Sequence, residues 1–155
     1  MGLLGFMPII VSTCFVTYLA LLDIREFRIP NQILFPGLIL TLSSMSLVAA
    51  LTGNFNQLLR ALFGGLLSVS LFFVLHLLNP TGLGMGDVKL SALIGATLSW
   101  ISFPVGLLGL AIAFIASGIF AIFQLALFSR PLNGVLPFAP FMLFGMSFVE
   151  FGLLL

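Results

Sequence analysis

The chain has 155 residues, of which 61% are hydrophobic and only 6% charged. A soluble domain carries about 25% charged residues, so this chain lacks the polar surface that water demands, and lipid must be its solvent. A net charge of +1 excludes the basic footprint of a nucleic-acid binder, and a single cysteine, Cys14, excludes an internal disulfide or a cysteine-based zinc cluster.

The length fits one domain, residues 1–155. Residues 3–22 are apolar and uncharged, enough to cross a bilayer as a helix. Met1-Gly2-Leu3-Leu4 lacks the basic start of a secretory signal, and Phe6 stands where a myristoylation signal wants Ser or Thr. The first span is therefore expected to stay in the mature protein. Cys14, inside it, reads as a small packing residue. A polar loop, Asp23 to Asn31, follows, and Pro30 can open the next helix. The second span is expected over Gln32–Leu51, with the turn Thr52-Gly53-Asn54-Phe55-Asn56 after it. The third covers Gln57–Leu78 and is stopped by Asn79-Pro80. The Gly-rich stretch Thr81 to Asp87 leads into a short fourth span, Val88–Phe103, with Pro104 marking a break. The fifth span is Val105–Phe128 and the turn Ser129–Gly134 follows. The sixth is Leu136–Leu155, with Pro137 and Pro140 in its first turns. The expected fold is all-α: a multi-pass membrane protein of about six transmembrane helices, with polar loops at the cytoplasmic face.

Orientation follows from the basic residues. Arg25, Arg28, Lys89 and Arg130 lie after the odd-numbered spans, and Arg60 alone lies towards the other side. The positive-inside rule puts the first set in the cytoplasm. Asp23 and Asp87 then share that side, and they are two of only four acids, with Glu26 and Glu150. A carboxylate at a membrane-embedded loop is costly and calls for a function. Two carboxyl groups held close share one proton, because like charges a few ångströms apart resist ionising together. Such a pair can activate a water and protonate a scissile carbonyl without metal or organic cofactor. The residues thus point to a membrane-embedded aspartyl protease with Asp23 and Asp87 as its dyad. At Asp87, burial and the N-terminus of span four pull proton affinity in opposite senses, and the sequence leaves that balance open. Gly82, Gly84 and Gly86 allow close backbone approach and positive φ, which an extended substrate beside the loop would use.

These residues resemble the type IV prepilin peptidases, membrane aspartyl proteases of the GxGD kind. The matching stretches are Asp23 with Arg28-Ile29-Pro30-Asn31, then Gly84-Met85-Gly86-Asp87-Val88-Lys89-Leu90 with Gly95, then Leu136-Pro137-Phe138-Ala139-Pro140-Phe141. The resemblance implies catalysis by Asp23 and Asp87. Gly84, Gly86, Lys89, Arg28, Pro30 and Asn31 are expected to bind substrate or shape the site, Lys89 by steering or pairing with the dyad. It implies cleavage of the basic leader from prepilin or pseudopilin precursors, typically after a glycine, by a bacterial inner-membrane enzyme whose site faces the cytoplasm. Larger family members carry an additional segment with paired cysteines and N-methylate the product. This chain has neither the room nor the cysteines, and resembles the short branch found in tight-adherence (Flp) pilus systems. Ala139 replaces the usual glycine of the Pro-Phe-Gly-Pro stretch.

Each residue also has a plainer reading. Asp87 can be a helix N-cap, and Asp23 an interfacial acid paired with Arg25 or Arg28. Glu26 reads as a solvated charge, Lys89, Arg25 and Arg28 as topology anchors, and His76 as a hydrogen-bonded packing residue. Arg60 and Glu150 are expected to pair across spans three and six. Ser91/Gly95, Ala92/Ala96, Gly109/Ala113 and Ala113/Ser117 are small-residue pairs suited to close helix packing. No HExxH motif or phosphate-binding loop is present. The rival from another class is a small proton- or cation-coupled transporter component using the same acids as a relay; such acids often sit mid-span, whereas these sit at span ends.

Overall fold

A computed structural model describes residues 3–80, 82–128 and 137–154. A short 3-10 turn, Leu3–Phe6, leads into six helices: α1 (Met7–Glu26), α2 (Asn31–Thr52), α3 (Phe55–Leu78), α4 (Met85–Ile101), α5 (Phe103–Phe128) and α6 (Ala139–Leu154). Four stretches, Leu3–Glu26, Asn31–Thr52, Phe55–Leu78 and Phe103–Ala126, are long and apolar enough to cross a membrane. The fold is all-α and multi-pass. Many large apolar side chains point outward, among them Phe63, Leu66 and Ile122, as a lipid solvent requires.

The proline and glycine signals act where expected. Pro30 caps α2, Gly53 ends it at a φ of 70°, and Asn79 closes α3 ahead of Pro80. Two boundaries differ from expectation. α1 runs through Asp23 to Glu26, because Asp-Ile-Arg-Glu is compatible with helix and nothing breaks it before Phe27. The charged residues there lie inside the helix and do not mark its end. α5 starts at Phe103, so Pro104 sits in its first turn, where a missing N–H costs little, and Ser102 makes the break. α6 begins at Ala139, after Pro137 and Phe138. Thr81, the turn Ser129–Gly134 with Arg130, and Leu136 lie outside the described residues.

α4 is the centre of the bundle and packs against each of the other five helices. From Leu90 to Trp100 only Ala92 is not fully buried. Lipid tails are as apolar as leucine, so tight packing must hold such a helix in place. Small residues supply it. Gly64 of α3 abuts Ser99, Gly95 abuts Ser68, and a side chain at Gly65 would meet the Ala92 carbonyl at 3.0 Å. Gly145 of α6 crosses α5 at Gly109 and Ala113, 3.0 Å from the Ala113 nitrogen at the position a Cβ would take. The spacing in α4 and α5 signals Gly95, Ala92, Gly109 and Ala113, whereas Gly64, Ser99, Gly65, Ser68 and Gly145 carry no such signal.

The end of the bundle away from Asp23 is fastened by polar contacts. Trp100 Nε1 donates to the Gly5 carbonyl at 3.1 Å, and Gln57 Nε2 donates to the Trp100 carbonyl at 3.1 Å. Glu150 does not meet Arg60. It is buried against α1, where Thr13 Oγ1 lies 3.2 Å from Oε2, and no ion pair occurs among the described residues. Arg60 is exposed near the start of α3, which packs on α4, α5 and α2, whereas α6 packs on α5, α1 and α4. Cys14 faces outward from α1 and does not join the core.

Candidate active site

Three segments converge at one end of the bundle: residues 27–30, residues 79–80 with 82–84, and the start of α6. They enclose a cleft of about 790 Å³ whose walls include Asp23, Arg28, Pro30, Asn31, Gly84, Gly86, Asp87 and Phe138. All eight come from the stretches that the sequence singled out.

Asp23 stands in the last turn of α1, 6% exposed. Its Oδ2 accepts the backbone N–H of Ala139 at 3.1 Å. Ala139 is the first residue of α6, where N–H groups have no intrahelical partner and the helix dipole favours negative charge. Pro140 follows and has no N–H to offer, so the backbone donors that Asp23 meets at this helix start are those of Ala139 and Phe138. This contact was not read from the sequence. The Pro-Phe-Ala-Pro stretch was noticed only as part of the resemblance, and its signal was a helix start flanked by prolines. Ala139 itself is wholly buried, and its methyl group is accommodated in place of the usual glycine hydrogen.

Asp87 is the third residue of α4, not its N-cap. Gly84 is the cap, and Asp87 Oδ2 reaches back to accept the Gly84 N–H at 3.2 Å. Glycine has no side chain, so only this carboxylate half of a capping box exists. Asp87 and Asp23 lie near enough for their charges to interact, and no hydrogen bond joins them. Both face the cleft. Asp23 makes no ion pair with Arg25 or Arg28, since none occurs among the described residues.

The loop at residues 27–30 and the start of α4 meet because Gly86 lacks a side chain. A Cβ there would lie 2.8 Å from Ile29 Cβ, so Ile29 and its loop rest directly on the first turn of α4. Positive φ plays no part: Gly84 has a φ of −72°, and Gly53 is the only described glycine in the left-handed region. Phe27 has that conformation instead, at a φ of 51°, and turns the chain out of α1 towards Pro30.

Lys89 turns away from the acids. Its Nζ donates to Asn31 Oδ1 at 2.9 Å and lies 5.5 Å from the Phe35 ring centroid. It ties α4 to the first turn of α2 at Asn31, a residue of the cleft wall, and does not line the cleft itself. Arg28 and Glu26 line the cleft opening. His76, in the last turn of α3, places Nδ1 2.7 Å from the Leu83 carbonyl oxygen.

The sequence model of the type IV leader peptidase family matches residues 10–125. No curated protein and no solved structure matches significantly. The matched region contains both Asp23 and Asp87 and accounts for most of the chain. This chain therefore belongs to the type IV leader peptidase family, and is a protease of the prepilin leader peptidase type built as a multi-pass membrane protein.

Proposed function

We propose that the protein is a GxGD-type aspartic endopeptidase that removes the leader of Flp-like prepilins, with Asp23 and Asp87 as its catalytic pair. The observation that carries this reading is the shared cleft. Three of the four acids in the chain line one cavity beside two loops and a helix start; Glu26 is exposed, whereas Asp23 and Asp87, far apart in sequence, are buried and half-buried. With one proton between them, the ionised carboxylate takes a proton from water as the water oxygen attacks the scissile carbonyl carbon. The protonated carboxyl gives its proton to the carbonyl oxygen. Collapse of the resulting diol breaks the C–N bond, and a proton passes to the leaving nitrogen. Water and two carboxyl groups suffice for these steps. Family membership favours protease chemistry over an ion relay for the same acids.

The cleft end carries Arg25, Arg28 and Lys89, whereas Arg60 lies near the start of α3, at the other end. The positive-inside rule then directs the cleft to the cytoplasm of a bacterial inner membrane. The substrate is a membrane-inserted helix whose leader emerges at that face. The test is cleavage of an Flp-type prepilin by the purified protein in liposomes, read by mass spectrometry. Release of the leader as a single fragment is expected. Absence of cleavage, with cleavage of other pilin precursors instead, overturns the Flp assignment; absence of cleavage of any prepilin overturns the reading.

A further inference from the structure

Asp87 is held by Gly84 N–H, and that N–H belongs to the same peptide group as the Leu83 carbonyl. His76 Nδ1 lies 2.7 Å from that carbonyl oxygen, and Asp87 Oδ2 lies 3.2 Å from the Gly84 nitrogen. A carbonyl oxygen only accepts, so His76 Nδ1 carries the proton and donates it. The result is a continuous chain: His76 N–H to Leu83 carbonyl, across one planar peptide, and Gly84 N–H to the Asp87 carboxyl. Planarity means that fixing the carbonyl fixes the direction of the N–H. Hydrogen bonds in series also polarise one another. We propose that His76 is a positioning residue of the active site, which orients Asp87 through the Leu83–Gly84 peptide group.

The surroundings leave this peptide dependent on His76. The turn before it is held from Asn79: Gly82 N–H donates to the Asn79 carbonyl at 3.2 Å, and Leu83 N–H donates to the same carbonyl at 3.3 Å. Those bonds secure the near side of Leu83. On the far side, the first-turn bonds of α4 run to the Gly84 carbonyl, from Asp87 at 3.1 Å and Val88 at 3.3 Å. The Leu83 carbonyl lies between the two sets and is met by His76. The buried Leu83 side chain packs in the core with Phe72 and Val88, which holds the residue but not the rotation of the peptide plane that follows it. Asp87 Oδ2 is thereby committed to Gly84, and Oδ1 is left for the cleft. His76 itself does not line that cleft, so it acts through Asp87 and not on the reacting atoms.

This role rests on the proposed function of Asp87, and the test separates the two. Prepilin cleavage is measured for wild type, His76→Asn, His76→Gln and His76→Phe, with kcat and KM resolved, beside amide exchange at Gly84. The Asn amide nitrogen occupies the place of His Nδ1 and can donate to Leu83; the longer Gln amide cannot do so from the same rotamer. His76→Gln and His76→Phe are expected to lower kcat on the order of tenfold at unchanged KM, as loss of positioning does. They should also speed Gly84 exchange, while His76→Asn stays within about threefold of wild type in both readouts. If His76→Phe does not fold, the Asn and Gln pair decides the matter. Equal kcat and equal Gly84 exchange in Asn and Gln variants overturns the proposal. A wild type inactive on prepilin sinks the dyad reading, and the exchange measurement then judges the His76 contact by itself.

Discussion

Gly86→Ala puts the closeness of the two loops to the test. The added Cβ would lie 2.8 Å from Ile29 Cβ and 3.3 Å from Ile29 Cγ1 and Cδ1. Ordinary carbon contacts are about 3.5–4.0 Å, so the loop at residues 27–30 must retreat by roughly 1 Å. The closest atom is Ile29 Cβ, which a rotamer change cannot move, so the backbone has to shift. Overpacking of this kind costs about 1–3 kcal/mol, offset by up to about 1 kcal/mol of helix propensity gained over glycine. Net stability therefore falls by about 0–2 kcal/mol where the full offset is realised, and by about 3 kcal/mol at most. Activity is more sensitive, because a misplacement of about 1 Å at a catalytic pair costs on the order of 100-fold. Gly84→Ala is the control. Its Cβ meets the terminal Asp87 Oδ2 at 3.3 Å and, at an ordinary 3.9 Å, the Gly86 nitrogen, with a φ of −72° that alanine accepts. Rates of prepilin cleavage, with melting temperatures, are compared for the two variants. Gly86→Ala is expected to lose on the order of 100-fold and Gly84→Ala about tenfold or less. Equal rates for wild type and a folded Gly86→Ala would refute the idea that the Ile29 contact sets the separation of the acids.

Lys89→Met removes a charged hydrogen bond to Asn31 and is expected to lower stability by about 1–2 kcal/mol. Because Lys89 does not reach the acids, cleavage should fall less than about tenfold, measured beside thermal unfolding. Phe27 holds a left-handed conformation that suits glycine and penalises β-branched residues. Phe27→Ile should therefore unfold at lower temperature than Phe27→Gly, by about 1–2 kcal/mol in stability. Glu150 and Arg60 are expected to behave independently: Glu150→Gln, Arg60→Gln and the double variant should give additive melting shifts, with coupling below about 0.5 kcal/mol. Gly145→Val places a branched side chain against Gly109 and Ala113 and is expected to abolish folded protein, seen as lost monodisperse material in size-exclusion chromatography.

Much of this molecule is legible in its sequence because lipid imposes simple rules. Long apolar runs have to be helices, and Pro30, Gly53 and Asn79-Pro80 punctuate them where backbone chemistry predicts. Asp23 and Asp87 stand out because carboxylates are scarce in such a chain, and rarity makes a charge informative. Contacts between segments are less readable. Nothing local at Ala139 announces that its N–H faces Asp23, since that depends on how α6 is placed against α1. The expected pair of Arg60 and Glu150 failed for the same reason. Opposite charges at similar depth suggest a partner, but helix order around the bundle decides it, and Glu150 packs against Thr13 instead. Gly86 shows a subtler limit. The glycine reads as allowing close approach or positive φ; the packed loops show close approach, made by the Ile29 side chain, and no positive φ.

The most direct test of the account is prepilin cleavage by Asp23→Asn and Asp87→Asn beside wild type, each shown to be folded. Asparagine keeps the shape of the side chain and cannot carry the shared proton. Both variants are expected to lose roughly 10³-fold or more of the cleavage rate while retaining the wild-type melting temperature within a few degrees. Normal cleavage by either folded variant would contradict the dyad.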